Sequence, residues 1–290
     1  MSSPNTISKE IENEIEELQK AGFLLPQENA QSLIGSLHLS ELWAEIFWLR
    51  RHQHATREDP EVSHIFKSNP QSILEVGCAY GRVMRKIAEA NKQYGFPAQL
   101  TGIELCPYCA PYFKRYSSEN PLLDSVQVIF DDFFTSDRLK AGSFDVIVLP
   151  MNTFPSFPVE TLPQLFRRTK ELLSDEGLWI FSTYKIRGNL VANASRHDGE
   201  IRVREGQGPI VAEFYVLPRK LTDYGAREVT YARYTKLRQD HQKQQSYLFR
   251  NLVELLLPQM LQFIIEENGF DIAFQDVSSH SAVYGLHVGQ

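Results

Sequence analysis

Four short segments of this chain carry residue types suited to binding a nucleoside, and they follow one another in a regular order. The first is Glu75-Val-Gly-Cys-Ala-Tyr-Gly81, which ends an apolar run begun at Ile73 and places glycines at Gly77 and Gly81. Glycine lets a backbone turn tightly and come close to a ligand. The free N–H groups of a turn that opens a helix point at whatever binds there. The second is Glu104, closing Thr101-Gly-Ile-Glu104; a carboxylate at a strand's carboxyl end can accept hydrogen bonds from two ribose hydroxyls. Its other reading is an acid at a helix start, because Pro107 can open a helix. The third is Phe130-Asp-Asp-Phe-Phe134, where Asp132 can accept from an exocyclic adenine amine while Phe133 covers the ring, and Asp131 caps the next turn. The fourth is the loop Leu149-Pro-Met-Asn-Thr-Phe-Pro-Ser-Phe157, which would lie under the ligand's reacting end, with Asn152 and Thr153 as its polar groups.

A dinucleotide fingerprint would want glycines at 79 and 82 as well. The chain has Ala79 and Arg82 there, so a pyrophosphate ligand, and with it a nicotinamide oxidoreductase, is the weaker reading. Candidates for contact with a second substrate are Asn152, Tyr184, Tyr215, Arg233, Tyr234 and His280, the last in the loop Ser278-Ser-His-Ser-Ala282. Arg233 is one of several arginines able to bind a carboxylate bidentately; the plainer reading of most of them is the solvent face of a sheet. Cys106-Pro-Tyr-Cys109 has the spacing of a redox or half-zinc pair, yet no second pair or suitably spaced histidine accompanies it. A structural role is expected for it, and no metal.

The elements that must position these residues are legible as periodicities. Ser72–Val76, Gln99–Ile103, Ser125–Phe130, Phe144–Leu149 and Leu178–Thr183 read as strands, and the helical spacings of Arg82–Tyr94, a segment through Tyr112 and Phe113, and Leu162–Leu173 fall between them. Alternation of this kind implies right-handed crossovers and a parallel sheet covered on both faces. Residues 187–250 break the pattern and read as antiparallel strands rich in tyrosine and arginine. A helix over Pro258–Asn268 and strands at Asp271–Asp276 and Ala282–Val288 follow. Two helices precede the core. The first is amphipathic on Ile7, Ile11, Ile15 and Leu18, with a face for its own domain or for a second subunit in a homodimer; the second covers Ser40 to Arg51 and carries Trp43, Phe47 and Trp48.

The glycine turn, the two strand-end acids and the loop after the fourth strand together resemble the class I S-adenosylmethionine (SAM)-dependent methyltransferases, closely over residues 72–183 and loosely beyond. The resemblance implies an α/β, Rossmann-like doubly wound, mostly parallel sheet, with SAM as cofactor and S-adenosylhomocysteine (SAH) as product. It assigns cofactor binding to Glu75, Gly77, Cys78, Ala79, Gly81, Glu104, Leu105, Asp131, Asp132, Phe133, Leu149, Pro150 and Met151. Ala79 departs from the family's middle glycine and narrows the room there. The layout is similar to small-molecule N- or O-methyltransferases of the glycine/sarcosine type, which implies a helical lid over 1–65, a SAM-binding core over 66–186, an antiparallel insertion over 187–250 and a closing helix and strands over 251–290. Methylation of a protein or peptide, or a SAM- or SAH-binding partner without activity, are the rival readings.

The bulk of the chain agrees. With 290 residues and a formal net charge of −6, it is long enough for a large core and unsuited to broad contact with nucleic acid backbones. The polar, acidic amino-terminal residues carry no signal pattern and no run approaches a membrane span. A cytoplasmic enzyme with a small-molecule substrate is expected, without nucleic acid or membrane partners.

Overall fold

The computed structural model describes residues 9–24, 34–36, 41–49, 59–151, 153–184, 201–204, 210–217, 220–237, 243–278 and 281–289. In chain order the described strands are β1 (Ile34–Ser36), β2 (Ser72–Val76), β3 (Gln99–Glu104), β4 (Gln127–Phe130), β5 (Phe144–Leu149), β6 (Leu173–Tyr184) and β7 (Ile201–Arg204). They continue with β8 (Ile210–Val216), β9 (Lys220–Thr222), β10 (Gly225–Leu237), β11 (Lys243–Leu256), β12 (Phe270–Val277) and β13 (Ser281–Val288). The helices are α1 (Lys9–Lys20), α2 (Glu41–Leu49), α3 (Pro60–Ile65), α4 (Arg82–Tyr94), α5 (Ala110–Ser118), α6 (Leu162–Leu172) and α7 (Pro258–Glu267). Two compact units result: Met1–Leu37 with Gly188–Val253, and His38–Arg187 with Glu254–Gln290.

The larger unit is built on a sheet of order β12-β13-β6-β5-β2-β3-β4. Strand β2 pairs in parallel with β3 on one side and β5 on the other, β3 with β4 and β5 with β6, while β13 runs antiparallel between β6 and β12. The chain therefore leaves β2 toward β3 and β4 and returns to β5 on the opposite flank. That reversal opens a crevice at the carboxyl ends of β2 and β5, where sheets of this kind bind ligands. Ile73, Leu74, Val146, Ile147 and Val148 are fully buried, as continuous apolar runs must be in strands covered on both faces. Helix α4 turns Val83, Met84, Ile87 and Ala88 onto one side of the sheet. It ends at Gly95, whose φ of +72° makes a left-handed cap. Phe154, Phe166, Trp179, Phe181 and Phe270 interlock in a second aromatic cluster.

Strand β6 starts earlier than the expected Leu178. Leu173 already faces Phe144, and the pairing resumes at Leu178 opposite Val146, so Ser174–Gly177 form an excursion within the strand. Gly177 is required in it, since a Cβ would stand 2.9 Å from the Ser174 carbonyl oxygen.

The smaller unit is antiparallel in its larger part, with order β1-β11-β10-β8-β7 and β9 pairing beside β10; β1 joins β11 in parallel. Helix α1 belongs to this unit. Its Leu18 is fully buried in a cluster with Phe23, Leu24, Tyr215, Leu217, Val229, Tyr231 and Leu248. The buried Glu14 carboxylate accepts two bonds from the Arg250 guanidinium (2.7 and 2.9 Å) and one from the Tyr231 hydroxyl (2.8 Å). Burial works to raise the Glu14 pKa, but these bonds and the Arg250 charge outweigh it and hold the group below its usual value. Residues 1–65 are thus not one segment: α1 sorts with the antiparallel sheet and α2 with the parallel core. The apolar face of α1 is used within its own unit.

In the larger unit, α3 is fastened to β12 by the His64 ring, which stacks on Phe274 at 4.3 Å and meets Asp276 Oδ2 at 3.3 Å. Phe274 in turn lies over Gly285 of β13, where a Cβ would be 2.0 Å from the ring. The stacked histidine prevents the ring from swinging aside. Gly285→Ala is therefore expected to lower stability by about 1–3 kcal/mol through overpacking, measured by urea denaturation; an unchanged midpoint would contradict this packing.

Candidate active site at the carboxyl edge of the sheet

The turn after β2 holds three residues with positive φ: Gly77 (+79°), Ala79 (+47°) and Gly81 (+91°). Gly77 N–H donates to the Ile103 carbonyl at 2.8 Å, so the turn is stitched to β3. Gly81 has no room for a side chain, because a Cβ would sit 2.8 Å from the Phe113 ring. Cys78 is buried and packs on Gly102, where a Cβ would lie 2.7 Å from its sulfur; burial also pushes its thiol pKa well up. Ala79 takes the left-handed conformation despite its side chain, a cost of about 1–2 kcal/mol. Its N–H donates to Glu104 Oε2 at 2.8 Å, and this bond offsets the cost. The missing middle glycine is thus a conformational matter more than one of crowding. Tyr80 completes the turn and is buried against Phe47 and Trp48 of α2 and Tyr116 of α5, with centroids 5.5, 5.7 and 5.2 Å away.

Glu104 closes β3 at 8% exposure. Its Oε1 accepts the Cys106 N–H at 2.8 Å, and its Oε2 the Ala79 N–H at 2.8 Å. A carboxylate has about four acceptor positions, so both oxygens keep capacity for hydroxyl donors. Burial raises its pKa, against the pull of these N–H groups. Leu105 beside it is exposed, while Cys106 and Cys109 are buried with Ala44. The two thiols share a hydrogen bond that holds Cys106 below and Cys109 above its usual pKa. Among the described residues no cluster of three histidine, cysteine or acidic groups is arranged to hold a metal.

After β4 both aspartates bind local backbone. Asp131 accepts the Asp132 N–H and Asp132 the Phe134 N–H, each at 2.8 Å, while Phe133 is buried. After β5, Leu149 is buried, the Pro150 carbonyl accepts from Thr153 N–H (3.1 Å) and Oγ1 (2.6 Å), and Met151 has φ +56°. Thr153 Cγ2 lies 3.5 Å from where a Gly77 Cβ would be, so the first and fourth segments face each other. Tyr184 ends β6 at the same sheet edge and is exposed. The other acceptor-side candidates are placed differently. Tyr215 and Tyr234 are buried in the smaller unit, packing on Phe23 (5.6 Å) and Phe249 (5.9 Å). Arg233 there lies over the Phe23 ring at 5.1 Å and donates to the Phe23 carbonyl. These three hold that unit together. Asn152 and His280 lie outside the described residues.

A buried charged group behind the turn was not anticipated. Asp59 accepts both Arg82 terminal nitrogens at 2.6 Å and pairs with Lys86 at 2.7 Å. Burial works to raise its pKa, but the two cations win and hold it below the usual value. Glu61 Oε1 accepts the Met151 N–H at 2.9 Å, and Arg82 also contacts the Met151 sulfur. Glu75 is 2% exposed, and burial pushes its pKa well up, against the attraction of Arg82. Asp59-Pro60 has the form of a helix start, and Arg82 stood out only as an absent glycine. Nothing local pairs them, and Asp59 makes no side-chain cap bond to α3.

Residues 73–177 match the family model described as a methyltransferase domain. Over these residues the chain is similar to a methyltransferase domain. No curated protein matches the sequence. Among solved structures, the chain is similar to a SAM-dependent methyltransferase from Clostridium acetobutylicum, at 9% identity over 86% of this chain and 98% of that one, with a TM-score of 0.62. It is also similar to the CcbJ methyltransferase from Streptomyces caelestis, at 15% identity over 79% and 94% of the two chains, with a TM-score of 0.57. A sugar N-methyltransferase from a Streptoalloteichus species shares 16% identity over 85% and 87%, with a TM-score of 0.53. At these identities the likeness is one of fold: a mostly parallel α/β sheet accompanied by a smaller antiparallel one.

Just before the matched residues, Asp59 is the partner of a guanidinium that is itself only 3% exposed. Asp59→Ala leaves that cation buried, and stability is expected to fall by about 3–5 kcal/mol, followed by tryptophan fluorescence in urea. A loss below about 1 kcal/mol would place the Arg82 pair among the energetically weak ion pairs.

Proposed function

We propose that the chain binds SAM in the crevice above β2 and β5 and moves its methyl group to a nitrogen or oxygen of a small metabolite, releasing SAH. The observation that carries this reading is Glu104. Its buried carboxylate stands at the end of the strand next to the glycine turn, bonded to that turn and still able to accept. A ribose diol fits this acceptor, and the residues around it suit the rest of a cationic adenosine derivative. The exposed Leu105 offers an apolar surface beside the ribose position, and the backbone groups of Gly77–Gly81 line the turn. Asp132 holds its turn through Oδ1, which leaves its second oxygen for an adenine amine, while Asp131 holds the Asp132 N–H and interacts with the Ser136 side chain.

SAM when bound supplies a carbon already activated by positive sulfur, so the protein's tasks are alignment and exclusion of water. Gly77 brings the backbone close to the ligand, and the Pro150–Thr153 loop faces it across the crevice. An amine acceptor needs only to be neutral; a phenol or carboxylate reacts as its anion. Tyr184, exposed at the end of β6, is the described side chain from the acceptor-side candidates that stands at this edge. The aromatic helix α2 lies against the turn through Tyr80, in keeping with a covering role.

A small acceptor, of the kind taken by glycine/sarcosine-type enzymes, is favoured by the accompanying antiparallel unit and by the net charge of −6, which is unhelpful for nucleic acid. The sugar N-methyltransferase of similar fold is in keeping with a nitrogen acceptor. No described helix is long and apolar enough to cross a membrane, and a cytoplasmic place of action suits a SAM-using enzyme. The test is SAH formation from SAM with pools of amines, phenols and carboxylates. Turnover should require one acceptor class, and Glu104→Gln should lower kcat/KM for SAM by roughly ten- to a hundredfold, the worth of a hydrogen bond to a charged group. No SAH with any class would refute transfer, and an unimpaired folded variant would refute the ribose role.

A further inference from the structure

We propose that Glu61, which precedes the residues matched to a methyltransferase domain, is a positioning residue for methyl transfer. It holds the loop after β5 in the place where an acceptor meets the donor. The inference rests on the SAM reading above and concerns the acceptor side of that crevice.

The loop after β5 turns sharply. The Pro150 carbonyl accepts the Thr153 N–H at 3.1 Å, which closes a turn with Met151 as its second residue. Met151 has φ +56°, a conformation that a residue with a side chain rarely takes and that persists where its surroundings enforce it. Two contacts from outside the loop do so. Glu61 Oε1 accepts the Met151 N–H at 2.9 Å, and the Arg82 guanidinium meets the Met151 sulfur. Glu61 is 1% exposed, so water does not compete for its bond, and an N–H bond to a carboxylate is among the stronger ones.

Glu61 is itself fixed. It stands in the first turn of α3, next but one to Asp59, whose carboxylate takes both Arg82 terminal nitrogens and Lys86. His64 fastens the other end of α3 by stacking on Phe274. Arg82 opens α4 directly after Gly81. One short helix and its leading residue thus grip the start of α4 through Asp59 and the loop after β5 through Glu61. The walls they grip face each other, since Thr153 Cγ2 lies 3.5 Å from where a Gly77 Cβ would be. In-line transfer tolerates little error in spacing: a misplacement of about 1 Å can cost roughly a hundredfold in rate. A contact that fixes one wall against the other therefore acts on the rate without touching the donor.

The test compares Glu61→Ala, which removes the acceptor, with Glu61→Gln, which keeps an oxygen for the Met151 N–H. Kinetics use SAM with whichever pool of amines, phenols or carboxylates wild type turns over. Glu61→Ala should lower kcat roughly ten- to a hundredfold, with SAH affinity by calorimetry kept within about threefold, and Glu61→Gln should restore kcat to within about threefold of wild type. Amide exchange at Met151, followed by NMR on the full chain, should be slow in wild type and Glu61→Gln and at least about tenfold faster in Glu61→Ala. Unchanged kcat in folded Glu61→Ala, or a loss that Glu61→Gln does not restore, would overturn the proposal. So would a Met151 amide that exchanges freely in wild type, a result that needs neither a folded variant nor an acceptor. An equal fall in SAH affinity would overturn it as well, by making Glu61 part of donor binding. Wild type that forms no SAH with any pool would overturn the transfer reading itself, and the positioning role with it.

Discussion

Each oxygen of the Glu104 carboxylate holds one backbone N–H, from Ala79 on one side and Cys106 on the other. These two bonds tie the turn after β2 to the exit of β3, across residues 25 apart in sequence. Around them the rest of the site becomes intelligible. Ala79 can occupy a conformation that disfavours a side chain because its N–H has a charged acceptor. Gly81 is bare because Phe113 fills the space, and Gly102 is bare because Cys78 does. In the function proposed above, Glu104 joins a structural role to a binding one: the acceptor that shapes the turn would also be the one offered to a ribose.

A second layer of charge stands behind this one. The Asp59–Arg82–Lys86 group and Glu61 connect the short helix before the core to the first residue of α4 and to the loop after β5. The segment preceding the matched domain is therefore part of how the crevice is built. His64 on that helix, stacked on Phe274, anchors it to the antiparallel end of the sheet. Rigid placement of this kind is what methyl transfer demands, since the chemistry is alignment more than acid–base work.

How much of this was legible follows from the range of the interactions. The strands β2 to β5 and the helix α4 carry their periodicity in contiguous residues, and the turn carries its glycines; Glu104 is found by its place at a strand end. The parts that were not legible depend on partners far along the chain. Helix α1 looks like part of an amino-terminal helical segment until Glu14 meets Arg250, 236 residues away. Glu61 has no local signal for its bond to Met151, 90 residues on. Tyr215, Tyr234 and Arg233 have residue types suited to a substrate, yet packing on Phe23 and Phe249 accounts for them, because aromatic and arginine side chains serve cores and sites alike. Asp131 and Asp132 were read as dividing cap and ligand duties, and the turn takes an oxygen from each.

The central claim is that a nucleoside ribose completes the acceptor positions of Glu104. The most direct measurement is a crystal structure of the full chain with SAH. The account predicts both ribose hydroxyls within about 2.5–3.0 Å of the Glu104 oxygens, with the Ala79 and Cys106 bonds retained. A bound SAH whose ribose contacts other groups, while Glu104 keeps only its two backbone partners, would contradict it.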